Sequence, residues 1–273
     1  LAINGLVVRF TQDEDEIESI PPLALPLPVT VDRASISSLR LYFLDDPEPL
    51  QLAGVLLENV RGRGDRLQVG GLEVTAAAGS LKLRGEVQTS GEYPGRLTGA
   101  SAFNPSGYSP FTGKVEMEGT LARLTVLVDM AAPFPGTLQG TLHELAGETR
   151  WSAELLAGRA GLAEISGEWP EVVLSNFRAM GSGTLAEYSL QVEADADYAP
   201  LANMHLRTGI DGDDDGLIFS RGRLGIRDEI LEVEGRLAWR DDFTWQAAVS
   251  GEMLSPASLT QSLLAFSRKQ AIS

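Results

Sequence analysis

The segment DGDDDG, residues 211–216, has the residue types and spacing of a calcium-binding loop. Asp211, Asp213 and Asp215 alternate and a glycine follows them, as in the first half of an EF-hand loop. An EF-hand needs a bidentate Glu at its twelfth position, where this chain has Gly222, and no helix pattern flanks the segment. The sequence therefore favours an acidic turn between two strands over a metal site, and these three aspartates are the candidate metal ligands.

Few other side chains could carry out catalysis. The chain contains no cysteine, which excludes thiol chemistry and cysteine-ligated zinc. Its two histidines, His143 and His205, lie far apart without metal-ligand spacing, and we interpret both as ordinary strand or surface residues. The segment GYSPFTGKV (107–115) resembles a phosphate-binding loop, but Val115 stands where a Ser or Thr should hold magnesium. The sequence predicts no catalytic residue, no cofactor and no enzymatic activity.

The chain is strongly acidic, with a net charge of −16, and this argues against nucleic acid as a partner because such a surface repels phosphates. No stretch approaches the roughly 18 consecutive apolar residues that a membrane-spanning helix needs. With 43% hydrophobic residues, the chain can nevertheless bury a substantial core. It begins at Leu1 without a charged leader, so we expect a segment of a longer protein.

Alternation of apolar and polar residues dominates the chain, and this period of two is typical of strands that bury one face. Strands are predicted over 81–87, 114–121, 123–129, 188–198, 203–209 and 230–239. The 29 glycines and 14 prolines punctuate these runs as turns. Helical patterns are few: residues 255–269 give the best one, and residues 153–164 give another. The sequence therefore predicts an all-β protein built from antiparallel meanders, with few short helices.

The chain also repeats itself at an offset of 150 residues, where 67–87 aligns with 217–237. Leu83 aligns with Val233, and the leucines and glycines around them align as well. Repeated strands favour an elongated, stacked sheet rather than a single compact globule. The alternative is that two amphipathic strand pairs align without common origin.

The repeat also bears on the acidic segment. In the same alignment Arg61 and Arg63 occupy the places of Asp211 and Asp213. Because one copy carries cations where the other carries carboxylates, the feature they share is a glycine-bearing turn between strands. This comparison again favours a turn over a calcium site.

Several β-rich phrases recur along nearly the whole chain. They are PLALPLPVTVDRASISSLRLYF (22–43), GKVEMEGTLARLTVLVD (113–129), GTLAEYSLQVEADADYAP (183–200) and GRLAWRDDFTWQAAVSG (235–251). Together they resemble the repeating units of the TamB family, which belongs to the AsmA-like superfamily of bridge proteins in the envelope of Gram-negative bacteria. We therefore expect 1–273 to be one continuous β-repeat segment, with approximate repeat units 22–100 and 172–251 linked by 101–171.

The resemblance implies an elongated antiparallel sheet that curls lengthwise into an open, taco-like groove lined by apolar side chains. In the family this structure crosses the periplasm from an inner-membrane anchor, which we expect to lie outside this chain. Elementary physics agrees, because an amphipathic sheet must close on itself, pack on a second layer or accept an apolar ligand. The sequence offers too few helices for a second layer.

The function implied is to shield phospholipid acyl chains between the inner and outer membranes, in support of outer-membrane biogenesis. Two aligned strands supply the candidate lining residues, which are Leu81, Leu83, Val87, Leu231, Val233, Leu237 and Trp239. The alternative is that the same residues form the core of a closed sandwich without a groove.

Two other functions stay open at this point. The family is associated with TamA, an outer-membrane barrel, and with the insertion of autotransporters and other barrels, so a free sheet edge could template incoming strands. The third candidate is an acidic extracellular β-repeat that uses calcium, and it rests almost wholly on DGDDDG.

Overall fold

The computed structural model describes most of the chain between Leu1 and Gly251. The described residues are 1–10, 24–43, 50–145, 148–184, 186–198, 201–213, 215–226, 229–238 and 244–251. Trp239 and the helix predicted over 255–269 lie outside them.

Within the described residues, sixteen strands form one continuous sheet, in which each strand lies beside its neighbour in the sequence. The strands are β1 (Ala2–Phe10), β2 (Leu25–Phe43), β3 (Leu50–Gly64), β4 (Arg66–Ala76), β5 (Gly79–Gln88), β6 (Gly95–Phe103), β7 (Phe111–Gly119), β8 (Arg123–Ala132), β9 (Gly136–His143), β10 (Arg150–Gly161), β11 (Val173–Gly183), β12 (Glu187–Tyr198), β13 (Leu201–Asp213), β14 (Gly216–Ile226), β15 (Glu229–Ala238) and β16 (Thr244–Gly251). The β1–β2 pair is parallel and every other pair is antiparallel. The predicted all-β class and long antiparallel sheet are confirmed.

The helix predicted over 153–164 is wrong. Residues Arg150–Gly161 form β10, and only the four residues Leu162–Ile165 that follow are helical (α1). The Ala, Leu and Glu residues of this stretch favour a helix locally. However, β10 forms backbone ladders with β9 on one side and β11 on the other, and these outweigh the local preference.

The sheet has two chemically different faces. In β5, Leu81 and Leu83 lie on one face, where side chains are half-buried or buried, while Lys82 and Arg84 are exposed on the other. We call these the apolar face and the polar face. Ion pairs such as Lys82–Glu73, with 3.2 Å between Nζ and Oε1, lie on the polar face and are largely solvated. Exposed pairs of this kind stabilise a fold by about 1 kcal/mol or less, so we look to the apolar face for stability.

Bulges and glycines bend the strands. Register shifts interrupt eight of the described ladders, and Asn176, at the shift between Ser175 and Arg178, has a positive φ of 51°. Bulges of this type bend the strand and increase its twist. Gly85 and Gly119 have φ of 153° and 151°, a region that side chains rarely adopt. Glycine kinks and bulges are the devices that curve a sheet, which accounts for its curl.

From the burial of its side chains we infer that the apolar face is the concave one. Val115 is only 3% exposed and Leu83 only 6%, although the sheet is a single layer. Side chains become this enclosed without a second layer when the face that carries them curves inward and neighbouring side chains converge. Among the described elements, the substantial contacts join each strand to its neighbours in the sheet and α1 to β10. The described part of the chain therefore forms an open curled sheet rather than a closed sandwich.

The aligned segments fold alike. At the offset of 150 residues, β4 and β5 coincide in their bounds with β14 and β15. The bulge in the first hairpin, between Val69 and Leu72, recurs between Phe219 and Gly222. The two hairpins thus share strand length, register and bulge, whereas the boundaries of the larger repeat units stay a prediction.

Candidate functional site

The predicted lining residues lie on the apolar face and align in rows across the sheet. A row is a set of residues that lie opposite one another in consecutive strands. The Val87 row is unbroken from β4 to β15, and it ends at Leu237 in the second hairpin. Its members are Leu67, Val87, Gly95, Gly119, Leu124, Leu142, Trp151, Gly183, Tyr188, Gly212, Leu217 and Leu237.

A second row joins Leu83 to Val233. This Leu83 row passes through Leu72, Leu83, Gly99, Val115, Val128, Leu138, Leu155, Ala179, Val192 and Thr208. A register shift follows in the β13–β14 pair, and the row resumes where Gly222 lies opposite Val233. The two hairpins therefore present equivalent residues on one surface, ten strands apart.

The third row joins Leu81 to Leu231. This Leu81 row runs through Ser101 and Gly113 to Met130 and Gly136. After the bulges of the middle strands it resumes with Ala194, Leu206, Leu224 and Leu231. Leu231 is 8% exposed, whereas Leu81 is half-buried. The six predicted lining residues whose side chains the structure describes all lie on this face.

No charged side chain belongs to the Leu83 row or the Val87 row. Two polar groups in these rows form hydrogen bonds to backbone carbonyls. Trp151 donates its indole N–H to the Thr184 carbonyl at 2.8 Å, and the Thr208 hydroxyl donates to the Gly209 carbonyl at 3.2 Å. The rings of Trp151 and Tyr188 lie 6.3 Å apart near one rim. A surface of this kind can hold hydrocarbon but offers no polar group for specific recognition or acid–base chemistry.

Sequence reasoning missed important members of this surface. Val115 is the most enclosed large side chain in the rows, and Trp151 adds the largest ring. The alternation in KVEMEG (114–119) signals that Val115 faces inward, but alternation alone does not show how closely strands crowd around it. Trp151 lies just before the helix predicted over 153–164, so the sequence did not place it in a strand.

The acidic segment is a turn between two strands. Asp213 ends β13, and its Oδ1 accepts the backbone N–H groups of Asp215 at 2.8 Å and Gly216 at 2.9 Å. This is the Asx-type turn bond that Asp side chains commonly make. Asp211 is exposed in β13, opposite Ile218. Among the residues that the structure describes, no three His, Asp or Glu side chains cluster to hold a metal ion.

Replacing Asp213 tests its part in the turn. Asp213→Ala removes the acceptor of two backbone N–H groups, and we expect the free energy of unfolding to fall by about 1 kcal/mol. Asp213→Asn keeps an oxygen at the same place and should retain most of the stability. Because a ligand that binds only the folded state raises stability, thermal unfolding should not respond to calcium. A melting temperature that rises with calcium in the unmodified chain but not in Asp213→Asn would restore the metal site.

His205 takes part in a network on the polar face. Its Nδ1 lies 2.9 Å from Oδ1 of Asp195 and its Nε2 lies 3.6 Å from Glu193. Asn176, at the β11 bulge, donates to the other oxygen of Asp195 at 2.7 Å. The bond from Asn176 and, second, the bond with His205 lower the pKa of Asp195. His205 lies in β13, as the sequence predicted. Because these side chains are largely solvent-exposed, we interpret the network as a set of surface contacts that link β11, β12 and β13.

A depression of about 480 Å³ also lies on the polar face, between β9 and β12. Hydroxyl and amide side chains such as Gln139, Ser152 and Gln191 line it, and they are exposed. It contains none of the predicted lining residues, so the apolar face and not this depression is the candidate site.

Fold and surface together define a class of protein: a single curled β-sheet with an open apolar face, whose described Leu83 and Val87 rows contain no charged side chain. The chain belongs to the TamB family, because the family model described as TamB, N-terminal domain, matches residues 9–265. The resemblance found in the sequence is thereby confirmed. Neither a curated protein nor a solved structure matches the chain. Members of this family are transport and assembly proteins, and it is not a known enzyme family. Within the described residues, no helix has the length and apolar character needed to cross a membrane.

Proposed function

We propose that this chain is a segment of a periplasm-spanning bridge that shields phospholipid acyl chains on its apolar face and so supports outer-membrane biogenesis. The observation that carries the proposal is the pair of charge-free rows, which run across the sheet from β4 to β15. Family membership supports it, because a bridge between two membranes needs an apolar path through water.

The energetics favour acyl chains as the occupant. An apolar face exposed to water is unfavourable, and each methylene that moves from water onto such a surface gains about 0.8 kcal/mol. Because this gain needs no directional contact, chains of different length and saturation can occupy the rows. The residues assigned to lipid contact are Leu81, Leu83, Val87, Leu231, Val233, Leu237 and Trp239.

The location and partners follow from the same proposal. The chain would lie in the periplasm, in a parent protein anchored in the inner membrane, and would act with an outer-membrane barrel such as TamA through other parts of that protein. Phospholipid acyl chains are the proposed cargo, and nucleic acid is not a proposed partner.

One observation also favours strand templating as a second candidate function. In the described sheet β1 and β16 are the edge strands, since each pairs with one neighbour. Free edges can add strands from another chain. Capture of a barrel strand along such an edge, with no lipid on the apolar face, would favour this function.

Mass spectrometry of solvent extracts tests the leading proposal. The full chain, purified without detergent from a Gram-negative periplasm, is expected to release phospholipid. Protein stripped with detergent should reload from vesicles of phosphatidylethanolamine and phosphatidylglycerol. A folded, monodisperse chain that carries no lipid and takes none from these vesicles would contradict the proposal.

A further inference from the structure

One segment of the described chain folds over the apolar face. Residues 162–172, which we call the strap, connect β10 to β11 and contain α1. Phe134 of the β8–β9 turn forms a buried cluster with Ala157 and Ala160 of β10. Ile165 of α1 packs against this cluster, as do Met130, Leu174 and Phe177. Phe134 is 6% exposed and Ala157 is 5% exposed. The cluster is therefore a small closed core in a sheet that is otherwise open over its described length.

The strap is anchored at both sides. At its base, the Leu162 N–H donates to the Val172 carbonyl at 2.9 Å. At its far side it reaches the β6–β7 turn, where the Ser109 N–H donates to the Ile165 carbonyl at 2.7 Å. The rings of Tyr108 and Trp169 also meet there edge to face, with centroids 5.8 Å apart. The strap thus joins the end of β10 to the β6–β7 turn, and β8 and β9 lie between these two anchors in the strand order.

The covered residues belong to the Leu81 row. Met130 lies in that row directly, and Ala157 lies beside Gly136, since a Cβ on Gly136 would be 3.4 Å from the Ala157 Cβ. Phe177 lies opposite Ala157. In the neighbouring Leu83 row, Leu155 is half-buried, as Met130 and Phe177 are, but it does not belong to this cluster.

We propose that the strap removes the Leu81 row from lipid contact between β8 and β11 and confines an acyl chain there to the Leu83 and Val87 rows. This inference rests on the proposed function of the apolar face. The groove would then be wide at the β4–β5 and β14–β15 hairpins and narrow between them. The strap would determine how many acyl chains pass side by side.

Photo-crosslinking at three single positions tests the strap. A photoreactive phenylalanine replaces Leu81, Leu155 or Phe177 in the full chain, and the probe is vesicles of phosphatidylethanolamine and phosphatidylglycerol. We expect lipid adducts at Leu81 and Leu155 but none above background at Phe177. The double change Tyr108→Ala and Trp169→Ala releases the strap, and adducts at Phe177 should then approach those at Leu81.

The controls separate the strap from the fold and from the proposed function. Tyr108 and Trp169 are 46% and 41% exposed, so their loss should leave the sheet folded, which circular dichroism checks. The pair Tyr108→Phe and Trp169→Phe keeps the ring contact and should leave Phe177 unlabelled. Equal labelling of Phe177 and Leu81 in the unmodified chain, or no rise at Phe177 after release, would overturn the strap alone. Absence of adducts at all three positions would overturn the strap and the proposed function together.

Discussion

Val233→Asp is expected to empty the apolar face of phospholipid while lowering the melting temperature only slightly. Val233 is half-buried in the Leu83 row, and no described residue packs over it as a second layer. The carboxylate interrupts the apolar path, because keeping it charged draws in water and desolvating it is costly. Since water can reach it from the open side, the cost in stability should be about 1–2 kcal/mol, or roughly 2–4 °C for each kcal/mol.

The matched control lies in the same strand. Ile230 is 63% exposed, and Ile230→Asp introduces the same charge away from the apolar rows. This variant should keep both its lipid and its melting temperature. Lipid in extracts is measured by mass spectrometry and stability by thermal unfolding. In a closed core, Val233→Asp would instead cost about 3–5 kcal/mol and unfold the chain. A folded Val233→Asp chain with its full lipid content would show that Val233 is not on the lipid path.

Gly99→Ala should be the most destabilising small substitution in the sheet. Gly99 is the member of the Leu83 row in β6, and a Cβ built on it would lie 1.7 Å from the Lys82 carbonyl oxygen and 2.7 Å from the carbonyl carbon. No rotation relieves a clash with backbone, so β5 and β6 must separate where the sheet is bent. We expect a loss of about 3 kcal/mol, and hence a melting temperature roughly 10 °C lower.

Gly158→Ala is the control for this prediction. Gly158 lies in β10, and a Cβ there would meet nothing within 4 Å. The change should alter stability by about 0.5 kcal/mol or less. If thermal unfolding found Gly99→Ala as stable as the unmodified chain, the close approach of β5 and β6 that curves the sheet would be wrong.

The strands and their faces could be predicted because they depend on local alternation. Leu81, Leu83 and Val87 repeat every second residue or fourth residue, and a strand places such residues on one face. Because 67–87 aligns with 217–237, Leu231 and Val233 are predicted to lie on the same face as Leu81 and Leu83. The remaining positions follow from the meander, because each strand pairs with the next one in the sequence and so aligns equivalent residues in rows.

The curl and the strap could not be predicted from the sequence. Curvature depends on where bulges fall, and the bulge at Asn176 is set by how β11 pairs with β12, which the sequence does not reveal. The strap contains a helix of only four residues, which has no periodic signature. Its contact between Tyr108 and Trp169 joins residues far apart in the sequence. The helix prediction over 153–164 failed because most of that stretch forms β10, whose pairing with β9 and β11 is a tertiary effect.

Photo-crosslinking along β5 tests the central claim most directly. Crosslinkers at Leu81, Leu83 and Val87 face the apolar side, and crosslinkers at Lys82, Arg84 and Glu86 face the polar side of the same strand. With the full chain in the periplasm, the proposal predicts phospholipid adducts at the first three positions and none above background at the other three. Adducts distributed equally over both faces, or absent from both while the chain is folded, would contradict an apolar face that shields acyl chains.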